Sequence, residues 1–113
     1  MDNCIFCKIA NKEIPSNIVY EDDVIISFYD LEPQAPVHVL IIPKKHIDSL
    51  DDLEFGDMET MGWLMTKVKD IAEELGLENG YRLVCNCGED GMQTVKHLHF
   101  HLLGKRRMLW PPG

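Results

Sequence analysis

Apolar residues recur in two rhythms along this chain, and each rhythm predicts an element. In the first third the rhythm is short. Residues 17–21 (NIVYE) and 24–30 (VIISFYD) alternate well enough for strands, with Asp22-Asp23 as the turn between them. Residues 4–11, ahead of the turn signal Pro15-Ser16-Asn17, predict a short helix. The prolines in Glu32-Pro33-Gln34-Ala35-Pro36 remove ladder donors and interrupt the pattern. The run at 37–43 (VHVLIIP) predicts a third strand. From about residue 52 to 75 the step lengthens. Phe55, Met58, Met61, Met65, Val68, Ala72 and Leu75 recur as one face of a long helix, which Gly76 stops. The stripe Met58, Met61 and Met65 reads as core or subunit-interface packing, since methionine fills irregular gaps. Residues 81–87 predict a fourth strand, Glu89-Asp90-Gly91 a turn, and 95–103 (VKHLHFHLL) a fifth strand. The sum is one α+β domain over residues 1–113, a mainly antiparallel sheet with one long helix covering one face.

Composition narrows the function. The chain is 45% apolar and 27% charged, as in soluble globular proteins. No stretch nears the roughly 18 apolar residues of a membrane helix. The opening MDNCIFCKIANKE has no basic region followed by a long apolar run, so the expected compartment is the cytoplasm. The net charge of −8 argues against binding a nucleic-acid backbone, which needs a basic face. A small phosphorylated substrate fits better, held by backbone N–H groups, hydroxyls and histidines. The basic cluster Lys105-Arg106-Arg107 reads as a solvated strand end. The cysteines fall in two close pairs, Cys4/Cys7 and Cys85/Cys87, and disulfides are not expected in that compartment. The Cys4-x-x-Cys7 spacing reads as a metal half-site or a redox pair.

The densest chemistry lies in the last predicted strand. Side chains alternate across a strand, so His97, His99 and His101 share one side while Leu98, Phe100 and Leu102 face the helix. Imidazoles in a row are costly to bury and rarely needed for packing. Two chemistries compete. Two histidines two apart can share a zinc, although all three in one strand span too far for a single ion. Alternatively, a neutral imidazole attacks phosphorus and divides one hard displacement into two, with a neighbouring imidazole orienting it or steadying the phosphoryl charge. His38, in the 37–43 strand, extends this relay if the two strands pair. The turn Gly91-Met92-Gln93-Thr94 could aim backbone N–H groups, the Gln93 amide and the Thr94 hydroxyl at an anion.

The segment His97-Leu98-His99-Phe100-His101-Leu102-Leu103 resembles the His-φ-His-φ-His-φ-φ motif, φ being apolar, of the histidine-triad (HIT) family. Ala35-Pro36-Val37-His38, Ile42-Pro43-Lys44-Lys45-His46, Gln93-Thr94-Val95 and the closing Trp110-Pro111-Pro112-Gly113 are similar, in order, to its Hint branch. The resemblance implies a HIT fold, with five strands, a long helix and a short N-terminal helix, paired into a homodimer. It implies hydrolysis of purine nucleoside 5′-phosphoramidates and related aminoacyl-adenylates. His99 would be the nucleophile, forming a nucleotidyl-histidine that water opens to the nucleoside monophosphate. By motif position His101 contacts the phosphoryl oxygens, His38 bonds within the relay, and Thr94 meets the leaving amine or a phosphoryl oxygen. Asn86 holds the ribose-phosphate region, Asp30 accepts ribose hydroxyls, and Phe28 and Leu31 flank the base. The tail carrying Trp110 reaches towards the active site across the dimer.

The resemblance also implies a structural zinc. Cys4 and Cys7 supply two soft ligands, and the positions that complete the site match His46 and His97. No organic cofactor is implied. Cys85 and Cys87 could compete as ligands but read as structural. Met92 and Lys105 stand where the family has glycine, and Tyr29 where a histidine often flanks the ribose aspartate. The competing functions are a nucleotide-binding or partner-binding module with incidental hydrolysis, a dinucleoside polyphosphate hydrolase, and a redox protein built on Cys4 and Cys7. His101, where uridylyltransferases carry glutamine, argues against nucleotidyl transfer. The Trp-Pro-Pro-Gly tail argues against dinucleotide hydrolysis.

Overall fold

The computed structural model describes residues 3–113, and its central strand explains the apolar run at 37–43, interrupted only by His38. In chain order the elements are α1 (Ile5–Ala10), β1 (Ile18–Glu21), β2 (Ile25–Tyr29), β3 (Val37–Pro43), α2 (Met58–Glu74), β4 (Tyr81–Val84) and β5 (Phe100–Gly104), with single 3-10 turns at Leu50–Asp52 and Phe55–Asp57. The strands form one antiparallel sheet in the order β1-β2-β3-β5-β4. One side packs on α2: Ile25, Val39, Ile41, Phe100 and Leu102 meet Leu64, Val68, Ile71 and Ala72. On the other side Ile26, Phe28, Leu40 and Ile42 meet Phe6 and Ile9 of α1. A strand covered on both sides needs apolar residues at nearly every position, and within β3 only His38 breaks the rule. Among the described residues, no helix is long and apolar enough to cross a membrane.

The long helix ends where expected but starts at Met58 instead of near residue 52, and its buried face is rotated from the predicted one. Leu64, Val68, Ile71 and Ala72 are buried, while Phe55, Met58 and Met65 are 87%, 62% and 43% exposed. Val68 and Ala72 belong to both stripes, which is why spacing alone did not separate them. Met58 and Met65 are therefore not core residues of this chain. Gly76 stops the helix at φ +73, with Leu77 N–H bonded back to the Ala72 carbonyl.

Two strands are shorter than predicted. β4 ends at Val84, so Cys85, Asn86 and Cys87 lie beyond it. β5 begins at Phe100, which leaves His97 and His99 outside the ladder. The cause is Pro43, which ends β3 without an N–H to offer, and whose carbonyl is taken by the His97 ring at 2.8 Å. The Leu98 N–H bonds the Ile47 carbonyl instead.

Met92 and Lys105 sit at φ +63 and +70, in the left-handed region that glycine adopts freely. A side chain there costs roughly 1–2 kcal/mol, of which roughly 0.5–1 is offset because glycine loses more freedom on folding. Lys105→Gly should therefore raise stability by about 0.5–1 kcal/mol, read as a higher urea midpoint at unchanged slope. An unchanged or lower midpoint would contradict the strain argument.

Candidate active site and metal cluster

Although residues 97–99 lie outside the ladder, their side chains keep alternating. Leu98, Phe100 and Leu102 enter the α2 core, and the three histidines fall on the α1 side. The His99 and His101 ring centroids are 5.2 Å apart. Backbone groups set the protonation of each ring, because a carbonyl oxygen can only accept and an N–H can only donate. His99 Nδ1 lies 2.7 Å from the His97 carbonyl, so Nδ1 carries the proton and Nε2 keeps the lone pair. That Nε2 has no partner among the described residues, yet it is not sealed from solvent. His38 Nδ1 accepts the Gln34 backbone N–H at 3.0 Å, so its Nε2–H donates to His101 Nδ1 at 2.9 Å. His101 then holds its own proton on Nε2. Asp30 Oδ2 is 3.5 Å from His38 Nε2 and 4.0 Å from His101 Nδ1. Burial, followed by the charges of His99 and His38, pulls the His101 pKa down to about 4 against the opposing effect of Asp30. Burial lowers His38 in the same direction.

His99 and His101 open onto a cavity of about 290 Å³. Six of the expected residues line it together: Phe28, Asp30, Leu31, Thr94, His99 and His101. His38 joins through its bond to His101. Three expected residues are not brought in. Gln93 is turned away from the cavity. Its amide nitrogen donates to the Asp48 and Val95 carbonyls and its oxygen accepts the Gly88 N–H, so it holds the loop together instead of aiming at an anion. Asn86 does not line the cavity, and neither does Trp110, which is 82% exposed on the tail. Sequence reasoning missed Ile5, Phe6 and Ile9 of α1, which form part of the lining. The signal was present, since Ile5 and Ile9 stand four apart on one helical face. Gln34 was missed for a different reason: it acts through its backbone N–H, which no side-chain pattern reports.

On the far side of Phe6, Cys4, Cys7, His46 and His97 converge with all ligand atoms within 4.8 Å of one another. The short edges are Cys4 Sγ to His97 Nδ1 at 3.3 Å, Cys7 Sγ to His46 Nδ1 at 3.2 Å, and Cys7 Sγ to His97 Nδ1 at 3.5 Å. A sulfur–nitrogen edge of a zinc tetrahedron is about 3.6 Å from its bond lengths, so this donor set fits such an ion. Both rings are already oriented for it. His46 Nε2–H donates to Asp48 Oδ1 at 2.6 Å and His97 Nε2–H to the Pro43 carbonyl at 2.8 Å, leaving Nδ1 of each free to ligate. Burial and the adjacent Cys4 push the Cys7 thiol up to about 11. Cys85 and Cys87 are not part of this cluster; Cys85 packs against the α2 core.

Comparison with known proteins identifies the family and the fold. Residues 11–108 match the model of the HIT domain. The chain belongs to the HIT family. A HIT-like protein of Synechococcus elongatus is 51% identical over 99% of this HIT chain and 98% of its own length. A 14 kDa zinc-binding protein of maize is 50% identical over 96% of the chain and 87% of its own. Among solved structures, a HIT family hydrolase from Legionella pneumophila superposes with a TM-score of 0.96 at 52% identity, covering 98% of this chain and all of that one. A histidine triad nucleotide-binding protein from Candida albicans gives 0.84 at 37% identity, covering 93% of this chain and 76% of that one.

The relay makes this HIT protein sensitive to acid. His101 ionises at about 4 in the folded chain against an ordinary 6.5, so between those values the unfolded chain binds more protons. The contribution of His101 to stability should be full above pH 6.5, fall as the pH drops towards 4, and change no further below it. Chemical denaturation across this range should show the decline, and His101→Gln should flatten part of it. A midpoint that stays constant from about pH 7 to about pH 4.5 would count against a buried neutral relay.

Proposed function

We propose that this HIT protein hydrolyses purine nucleoside 5′-phosphoramidates, and related aminoacyl-adenylates, through a nucleotidyl-His99 intermediate. The observation that carries the reading is the bond from His99 Nδ1 to the His97 carbonyl. It assigns Nδ1 to the carbonyl and leaves Nε2 as the nitrogen whose lone pair attacks phosphorus. The new bond forms between Nε2 and phosphorus, and the positive charge that develops on the ring is steadied by the same carbonyl. The phosphorus–nitrogen bond breaks, and its electron pair leaves with the amine, which takes up a proton. The bound phosphoryl anion offsets the burial that keeps His101 neutral, so that ring can carry this proton to the amine. Water then attacks phosphorus, the bond to His99 breaks, and the proton released returns to the relay. Thr94 offers its hydroxyl to a phosphoryl oxygen or to the amine, Asp30 accepts ribose hydroxyls, and Phe28 and Leu31 hold the base.

Zinc is the ion we assign to Cys4, Cys7, His46 and His97, since two thiolates and two imidazoles are its usual structural donors. When bound it supplies no chemistry to the substrate; it ties the N-terminal segment to the stretch that bears His99, just ahead of β5. The maize relative, a zinc-binding protein by name, supports the assignment. We place the protein in the cytoplasm on its sequence alone.

His99→Gly should lower turnover of adenosine 5′-phosphoramidate by more than about a thousandfold while the circular dichroism spectrum persists. Acid-quenched wild type should carry the added mass of one nucleotide, and the variant should not. Tight binding of the monophosphate with no turnover on any phosphoramidate would favour a nucleotide-binding module instead, as the name of the Candida albicans relative suggests. We also propose a homodimer. β4 ends the sheet with an open edge, and Met58, Met65 and Phe55 leave apolar surface uncovered. Sedimentation at micromolar concentration should give twice the chain mass of 13.0 kDa, and a monomer there would remove the proposal.

A further inference from the structure

Phe6 stands between the two cysteines, and its ring meets both halves of the site edge-on. Its centroid is 6.0 Å from that of His97, 5.1 Å from that of His99 and 5.6 Å from that of Phe28. The helix that carries it has only six residues, too few to be stable alone. Its fixed points are the Cys4 and Cys7 sulfurs at one end and the buried side chains of Phe6 and Ile9 along one face. The opposite attachment is His97, which is fully buried. Its ring faces the sulfurs through Nδ1, while its carbonyl, two bonds along the backbone, is the group that fixes the His99 tautomer. One residue therefore belongs to both sites.

We propose that Phe6 and His97 are positioning residues through which the loaded metal cluster sets the tautomer of His99 and forms the α1 wall of the cavity. This rests on the proposed nucleotide site for its second half only. With four ligands joined, α1 cannot swing away, so Ile5, Phe6 and Ile9 stay against the cavity and the His97 carbonyl stays under His99 Nδ1. With the ligands released, only the packing of Phe6 and Ile9 holds a helix this short, and His99 is free to move its proton between nitrogens.

The test compares zinc-loaded protein, protein stripped with a chelator, and zinc-loaded Phe6→Leu. Nitrogen-15 spectra of the His99 ring report its tautomer without any nucleotide, and calorimetry reports adenosine monophosphate binding. Loaded protein should show a single Nδ1–H tautomer. Stripped protein should show a mixture and bind the monophosphate at least about tenfold more weakly. Phe6→Leu should keep one equivalent of zinc yet bind about three- to tenfold more weakly, the worth of an aromatic edge contact. An unchanged His99 tautomer in folded, stripped protein would overturn the proposal. If stripping unfolds the chain, Phe6→Leu decides: full affinity and an unchanged tautomer would overturn it equally. Should the monophosphate fail to bind even loaded wild type, the nucleotide reading falls, and the tautomer spectra still judge the link from metal to nucleophile.

Discussion

An oxygen that can only accept and a nitrogen that can only donate together determine where every proton in this site resides. The Pro43 carbonyl fixes His97, the His97 carbonyl fixes His99, and the Gln34 N–H fixes His38, which in turn fixes His101. Each of these assignments starts from a main-chain group, whereas His46 is oriented by the Asp48 carboxylate. The outcome is one ring with its lone pair directed at a ligand atom, one with its lone pair unpartnered, and one that points a proton away from its neighbour. Ring identity alone would have allowed any other assignment.

The sheet makes this arrangement possible by being buried on both sides. The α2 side is a conventional aliphatic core. The α1 side combines a smaller core with all the chemistry, since Phe6, Phe28 and Leu40 pack beside His99 and His101. Apolar neighbours strip water from the imidazoles, and this loss of solvent is the largest cause holding His38, His97 and His101 in their neutral forms. The same surfaces therefore stabilise the fold and prepare the rings.

Much of this was legible beforehand, because alternation survives even where the ladder does not. Residues 97–102 sort correctly to two sides although β5 starts only at Phe100. VHVLIIP was readable to the residue, since a strand buried on both sides leaves a nearly continuous apolar run, broken here only by His38. The ligand cluster was legible only through family likeness; the spacing of Cys4 and Cys7 offered a half-site and no more. The illegible parts share one cause, which is that backbone partners leave no mark on side-chain patterns. Gln93 looked available for an anion because nothing in the sequence shows that the Asp48 and Val95 carbonyls and the Gly88 N–H claim its amide. The α2 face was misread because Val68 and Ala72 fit both the methionine stripe and the branched aliphatic one.

Burial holds His101 and its partner His38 neutral, and the chain around them stands at −8. An anionic guest is thus not drawn in by the protein's field; it approaches against a repulsive potential and is held only after contact, by directed donors. Dissolved ions thin that repulsion over a distance of about 10 Å at 0.1 M. Capture of such a guest accelerates with ionic strength, the reverse of proteins that gather phosphates with a basic surface.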